Sequence, residues 1–259
     1  MTWLAAVWSV FCFEARRSLT VGRLMIWSSL VAFPPIIVTL LRFAQNTPDD
    51  ERAAVFWDLI LFTLAGVVCL LSLLLWATTI ISEERSANTW SYLAVRSCGV
   101  SAVLIGKYLN AVAWSIACTC LAVVLATAVG QPPGSFSLAA VLILLTLLGA
   151  PAYAAVFVLL GVAFDRISMA LALVYALVLE GVVATIPAVV NQITIRYRLQ
   201  SIFVDWRGDG WNLEQLRETV ASPEPVWQQV TVVVVATLVL LAAAVVVTRM
   251  RELARPERG

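Results

Sequence analysis

"ISEERSANTWSYLAVRSCGVSAVLIGKYLNAVAW", residues 81–114, decides how this chain is read. It is a polar, charged island in a sequence that is otherwise apolar. Of the 259 residues, 61% are hydrophobic and 13% charged. A soluble domain carries about 25% charged residues. The composition therefore predicts an all-α integral membrane protein. Ser82, Glu83, Glu84 and Arg85 stop the apolar run before them from sliding further into lipid. In "SANTWSYLAV", Ser86 and Asn88 are candidate helix caps, and Trp90, Leu93 and Ala94 fall at i, i+3 and i+4 on one face. Gly99 ends that element, and Ser101 can cap the next. Lys107 can snorkel to the interface, and Tyr108 suits the same level. The island thus reads as a short amphipathic helix held parallel to the membrane between two spans. An ordinary loop with a stop-transfer charge cluster accounts for the same residues.

A spanning helix needs about 20 mostly apolar residues. Six runs qualify: 24–41, 55–81, 103–129, 138–164, 169–190 and 226–248. "RFAQNTPDDER" separates the first two, "GQPPGS" the third and fourth, and "DRIS" makes a tight turn before the fifth. A polar segment, 191–225, precedes the sixth, and 249–259 form a tail. An even number of spans puts both termini on one side. With the termini inside, Arg16, Arg17, Arg23, Arg85, Arg96, Lys107, Arg166, Arg249, Arg251, Arg255 and Arg258 are inside, and Arg42, Arg52, Arg196, Arg198, Arg207 and Arg217 outside. That is eleven of the 17 basic residues against six, which favours cytoplasmic termini in an inner, cytoplasmic membrane. The outer loops are acidic, with Asp49, Asp50, Glu51 and Asp58 at the first of them. The island then faces the cytoplasm.

Residues 1–20 are too short and too Trp-rich for a clean span. Trp3, Val7, Val10, Phe11 and Glu14 keep helical spacing. They predict an amphipathic helix at the cytoplasmic surface with Trp3 and Trp8 at headgroup level, or a short apolar helix packed on the bundle. The first twenty residues lack the basic start, apolar middle and small-residue cleavage site of a secretory leader. In the polar segment, Ile195, Leu199, Ile202, Phe203 and Trp206 follow i, i+4, i+7, i+8 and i+11. That predicts an amphipathic helix on the outer membrane surface, with alternation from Ile193 to Leu199 leaving a strand as the other reading. Asn212 can cap a second short helix, "LEQLRETV".

Several chemistries are excluded. There is no His, which removes His-ligated metal, Ser-His-Asp and Cys-His catalysis together. Net charge is +1, so no basic field points to nucleic acid. Cys12, Cys69, Cys98, Cys118 and Cys120 read as small apolar residues or reduced thiols rather than a disulfide framework. Gly106-Lys107 is not a phosphate-binding loop, because Gly99 lies seven residues back and Tyr108 follows the Lys. Glu83-Glu84 resembles the start of the EExxxR motif of an intramembrane protease family, but Asn88 stands where the Arg is needed.

Glu180 lies mid-way along the fifth run. A charge at mid-membrane costs about 2.5–3.5 kcal/mol on insertion scales, so it should face the bundle interior or a wet cavity. Two roles fit: a residue of a translocation path or dimer interface, and a neutral carboxyl hydrogen-bonded to a Thr or a backbone carbonyl. Pro187 should bend or end this helix, and Pro34-Pro35 and Pro151 should break the regularity of the first and fourth spans.

The pattern "SEERSANTWSYLAVRSCGVSAVLIGKYLNA" resembles type-2 ABC transporter permeases. The matching positions are Glu83, Glu84, Arg85, Asn88, Thr89, Leu93, Ala94, Arg96, Gly106, Lys107 and Tyr108. Asn88 replaces a frequent Gly, and Trp90 stands where Leu or Phe is common. The resemblance covers the chain in outline: one permease domain with a cytoplasmic interfacial helix, six spans, a cytoplasmic coupling helix within 82–101, and short extracellular helices before the last span. It implies the membrane half of an ATP-driven exporter, not itself an enzyme. The resemblance implies two copies pairing in the bilayer, homodimeric or with a related permease. Glu83 to Arg96, including Trp90, would engage a separate cytoplasmic ATPase that carries the ATP and Mg. Gly106, Lys107 and Tyr108 would anchor the interface, with no cofactor on this chain. The short outer helices would close an outer gate. A membrane scaffold or assembly factor on the same fold is the alternative.

Overall fold

The structure, a computed structural model, describes residues 2–44, 51–77, 99–132, 134–164, 167–182, 194–207 and 224–253. Eight helices appear among them: α1 (Trp3–Ser18), α2 (Val21–Ala44), α3 (Glu51–Ala77), α4 (Gly99–Gly130), α5 (Ser135–Ala163), α6 (Ser168–Val174), α7 (Ile195–Arg207) and α8 (Val226–Leu253). α6 continues as a π-helix over Tyr175–Val182. Five of them (α2, α3, α4, α5 and α8) are long and apolar enough to cross a membrane. The chain is a multi-pass, mostly helical membrane protein.

α3, α4 and α5 make the centre. Leu61, Leu73, Leu138, Leu142 and Phe157 are buried between them. α5 carries Ala150, Ala152, Ala154 and Ala155 with at most 1% of their surface exposed. Lipid tails are as apolar as Leu, so small side chains that let backbones approach are what hold such helices together. α2 packs on α4, and α8 packs on α5 and α7. Most of the apolar surface of α2 and α8 stays exposed, as lipid-facing helices require.

The described helices extend the expected spans at most ends: 24–41 becomes α2, 103–129 becomes α4, 138–164 becomes α5 and 226–248 becomes α8. The second run, expected over 55–81, is α3 as far as Ala77. The fifth, expected over 169–190, is helical from Ser168 to Val182. Three local expectations are corrected. α2 runs through Pro34-Pro35 and α5 through Pro151 without interruption. Ser101 is not a cap, because α4 already begins at Gly99. Asp58, counted with the outer-loop acids, lies inside α3 and is 2% exposed.

The largest correction concerns α7. It forms where its spacing predicted a helix, but its apolar stripe does not face lipid. Ile195, Leu199, Ile202 and Phe203 are buried in the core, and only Trp206 of the predicted stripe is exposed. Phe203 stacks on Phe62 of α3 with ring centroids 5.0 Å apart. Leu199 lies over Gly149 of α5, where an added Cβ would come within 2.7 Å of Leu199 Cδ1. Gly149 is roughly 21 Å along α5 from Ser135 at 1.5 Å per residue. The far end of α7 returns to the start of α5: Arg207 Nη1 lies 2.9 Å from where a Cβ on Gly134 would be. α7 therefore runs antiparallel to α5, from mid-bundle to the end where α5 begins.

Candidate functional site

Glu83, Glu84, Arg85, Asn88, Thr89, Trp90, Leu93 and Arg96, the residues of the expected coupling helix, lie outside the described residues. Asn212 and the second outer helix, Pro187 and Cys98 do so as well. Gly106, Lys107, Tyr108 and Glu180 are described, and they build two separate sites.

The first is the seat of α1 on α4. Gly106 is where the two backbones come closest: a Cβ there would meet Val10 Cβ at 2.8 Å and the Val7 carbonyl at 3.0 Å. Lys107 does not snorkel outward. It is 5% exposed, and its Nζ lies 3.3 Å from Glu14 Oε1, itself on a buried residue. Trp3 Nε1 donates to Ser101 Oγ at 3.4 Å, and Asn110 Nδ2 donates to Ser18 Oγ at 3.3 Å. These contacts follow Trp3, Val10, Glu14 and Ser18 in order along α1 and Ser101 to Asn110 along α4. The run is roughly 22 Å on α1 and 14 Å on α4 at 1.5 Å per residue, so the helices cross obliquely. Val7, Val10 and Glu14 of the helically spaced set face α4. The opposite side, with Leu4, Trp8 and Phe13, is exposed and apolar. Tyr108 turns inward too, and its hydroxyl donates to the Pro151 carbonyl at 3.1 Å.

The second site surrounds Glu180, which is 0% exposed. Its Oε1 accepts from the Tyr175 hydroxyl at 2.7 Å and the Ile195 amide at 3.3 Å. Its Oε2 accepts from the Tyr153 hydroxyl at 3.1 Å and the Arg196 amide at 2.9 Å. The partners are neither a Thr nor a backbone carbonyl. Backbone amides only donate, and they are among those a helix leaves unsatisfied at its start. Glu180 is thus the cap of α7, supplied by the element before it, with its charge at the positive end of the helix dipole. The π-helix is what makes this reach work. Tyr175 and Glu180 are five residues apart, and i→i+5 bonding brings such positions onto one side.

Arg196 is treated differently. Its guanidinium makes one hydrogen bond, Nη1 to the Glu180 backbone carbonyl at 3.2 Å. Among the described residues no carboxylate lies within ion-pair distance of it. It lines a slot between α3, α5 and α7 whose other walls include Phe62, Gly66, Leu142, Leu145 and Tyr153. The slot is open to the outside, and the roughly 540 Å³ of space it spans includes open solvent.

Two charged fastenings of α7 escaped the sequence reading. Arg207 Nε donates to Asp58 Oδ2 at 2.8 Å. Arg198 Nη1 donates to Gln229 Oε1 at 2.8 Å and lies 3.6 Å from Glu224, whose Oε2 accepts from Gln229 Nε2. A signal was present: three cationic side chains, Arg196, Arg198 and Arg207, are too many for a lid that only touches lipid, if Asp205 is its one acid. No family model matches this sequence, and no curated protein matches it either.

Proposed function

We propose that this chain is the membrane-spanning permease subunit of an ATP-driven exporter, coupled to a separate cytoplasmic ATPase. The observation that carries this reading is the seat of α1. An N-terminal helix with an exposed apolar face is fastened through Gly106 and Lys107 to the first turns of α4. Those turns directly follow the polar island, 82–98, in which the permease-like motif lies. A partner that gripped the island would therefore move α4 and α1 as one body, and α4 is central to the bundle. In this reading the fifth crossing, to which α6 and its π segment belong, completes six spans, and both termini face the cytoplasm of an inner membrane. Glu180 fastens α7 beside a translocation path shared with a second permease copy, homodimeric or related. ATP and Mg bind the ATPase, not this chain.

The test is co-purification. Full-length protein is expressed with candidate ABC ATPases of its host, as wild type and as a Trp90→Ala/Leu93→Ala double variant. The reading expects an ATPase to be retained by wild type and lost from the variant. Retention of none, under conditions where a known permease keeps its own, would favour a non-transporting scaffold.

A further inference from the structure

The slot beside Arg196 has the chemistry of a binding site. Its walls are apolar: Phe62 and Gly66 from α3, Leu142 and Leu145 from α5, and Leu199 from α7. Thr63 and Thr146 line it too, but its charged and phenolic groups gather at one end. Tyr153 and Arg196 are both held at Glu180, whereas Phe62 sits beside Phe203, two turns further along α7. On α5 the distance from Leu142 to Tyr153 is roughly 16 Å at 1.5 Å per residue. One end of the slot thus holds a guanidinium and the other holds hydrocarbon.

The guanidinium has capacity to spare. It carries five N–H donors and gives one bond, to the backbone carbonyl of Glu180. The Glu180 carboxylate cannot take more without releasing a partner, since two hydroxyls and two amides already occupy it. An ionised, partly buried side chain whose guanidinium has no carboxylate within ion-pair distance among the described residues calls for a partner from elsewhere. We propose that the slot binds an anionic amphiphile from the membrane, with its carboxylate or phosphate on Arg196 and its hydrocarbon tail along Phe62, Leu142 and Leu145. A planar guanidinium receives such heads through paired N–H donors. The site stands on the slot itself. Its further meaning, that anionic amphiphiles are the exported class, rests on the permease reading.

Gly66 makes the test clean. A Cβ added there meets nothing within 4 Å, so a side chain such as that of Gly66→Leu has room at its root to enter the slot. Full-length protein in a non-ionic detergent is titrated with myristate and with tetradecanol, which share a chain and differ in charge. Binding is read by native mass spectrometry and by the shift in melting temperature. The expected result is saturable myristate binding, about tenfold or more tighter than tetradecanol. Arg196→Gln should bring the two ligands level. Gly66→Leu should bind neither while melting like wild type without ligand. Equal affinity for acid and alcohol in wild type would overturn the proposal, as would full myristate binding by a normally folded Gly66→Leu protein. Neither outcome depends on an ATPase, so a failed co-purification leaves this result standing.

Discussion

α1 and α7 are both short amphipathic helices fastened to the bundle by a buried glutamate, and the two fastenings are unlike. Glu14 meets full opposite charge, Lys107 at 3.3 Å and Arg17 at 3.8 Å. Glu180 meets two hydroxyls and two amides, and the nearby Arg196 bonds a backbone carbonyl instead. A cation opposed by a carboxylate has its main electrostatic need met, which suits an anchor. A cation placed beside a carboxylate that others have saturated keeps unused donors, which suits a binding site. The same residue types thus give a fixed contact at one place and a recognition site at another.

The largest way to break this comparison is at Glu180. Glu180→Leu leaves two amides and two hydroxyls without their shared acceptor, and each such buried loss costs about 1–3 kcal/mol. α7 should come loose, and the melting temperature in detergent should fall more than for any other variant named here. Next comes the α1 pair. Lys107→Met leaves the Glu14 carboxylate only the half-exposed Arg17, 3.8 Å away, and should cost about 1–3 kcal/mol, whereas Glu14→Leu/Lys107→Met should recover much of it. A double-mutant cycle on unfolding in detergent measures this. A double variant no better than the single one would mean the pair is not what holds α1. Gly106→Val presses on Val10 and the Val7 carbonyl, at an overpacking cost of about 1–3 kcal/mol. It should expose Arg16-Arg17 to trypsin faster than in wild type while leaving α7 protected. The smallest effect is at Tyr175→Phe, which removes one of four donors and should cost about 1 kcal/mol. A loss as large as that of Glu180→Leu would show that the hydroxyl, not the helix cap, is the main tie.

Much of this was legible in the sequence, for a physical reason. A bilayer demands long apolar helices, so composition and run length sufficed for α2, α3, α4, α5 and α8. The spacing of Trp3, Val7, Val10 and Glu14 likewise marked α1 as a helix, but not whether lipid or α4 would cover that side of it. α7 shows the limit. Its period of apolar residues marks a helix with one apolar face, but lipid and protein core are equally apolar, so the period cannot say which of them covers it. Asp58 looked like an outer-loop charge because its partner, Arg207, is 149 residues away. Glu180 stood out as a charge in an apolar run. Its partner Tyr175 did not, because five residues apart is the wrong side of an α-helix and becomes the right side only in the π segment. Gly106-Lys107 carried no nucleotide chemistry, and its use as a helix seat depends on Val10 and Glu14, which lie in another element.

The most direct test of α7's place in the bundle is thiol labelling of Ser201→Cys in membranes, with the five natural cysteines replaced. Ser201 has no exposed surface, and Trp206, on the same helix, is 43% exposed. A buried, Glu180-capped α7 predicts that Ser201→Cys resists a small water-soluble thiol reagent, that Trp206→Cys reacts, and that Ser201→Cys becomes reactive once Glu180→Leu is added. If Ser201→Cys reacts as fast as Trp206→Cys while Glu180 is intact, α7 lies on the membrane surface, and the site around Glu180 and Arg196 does not exist as described.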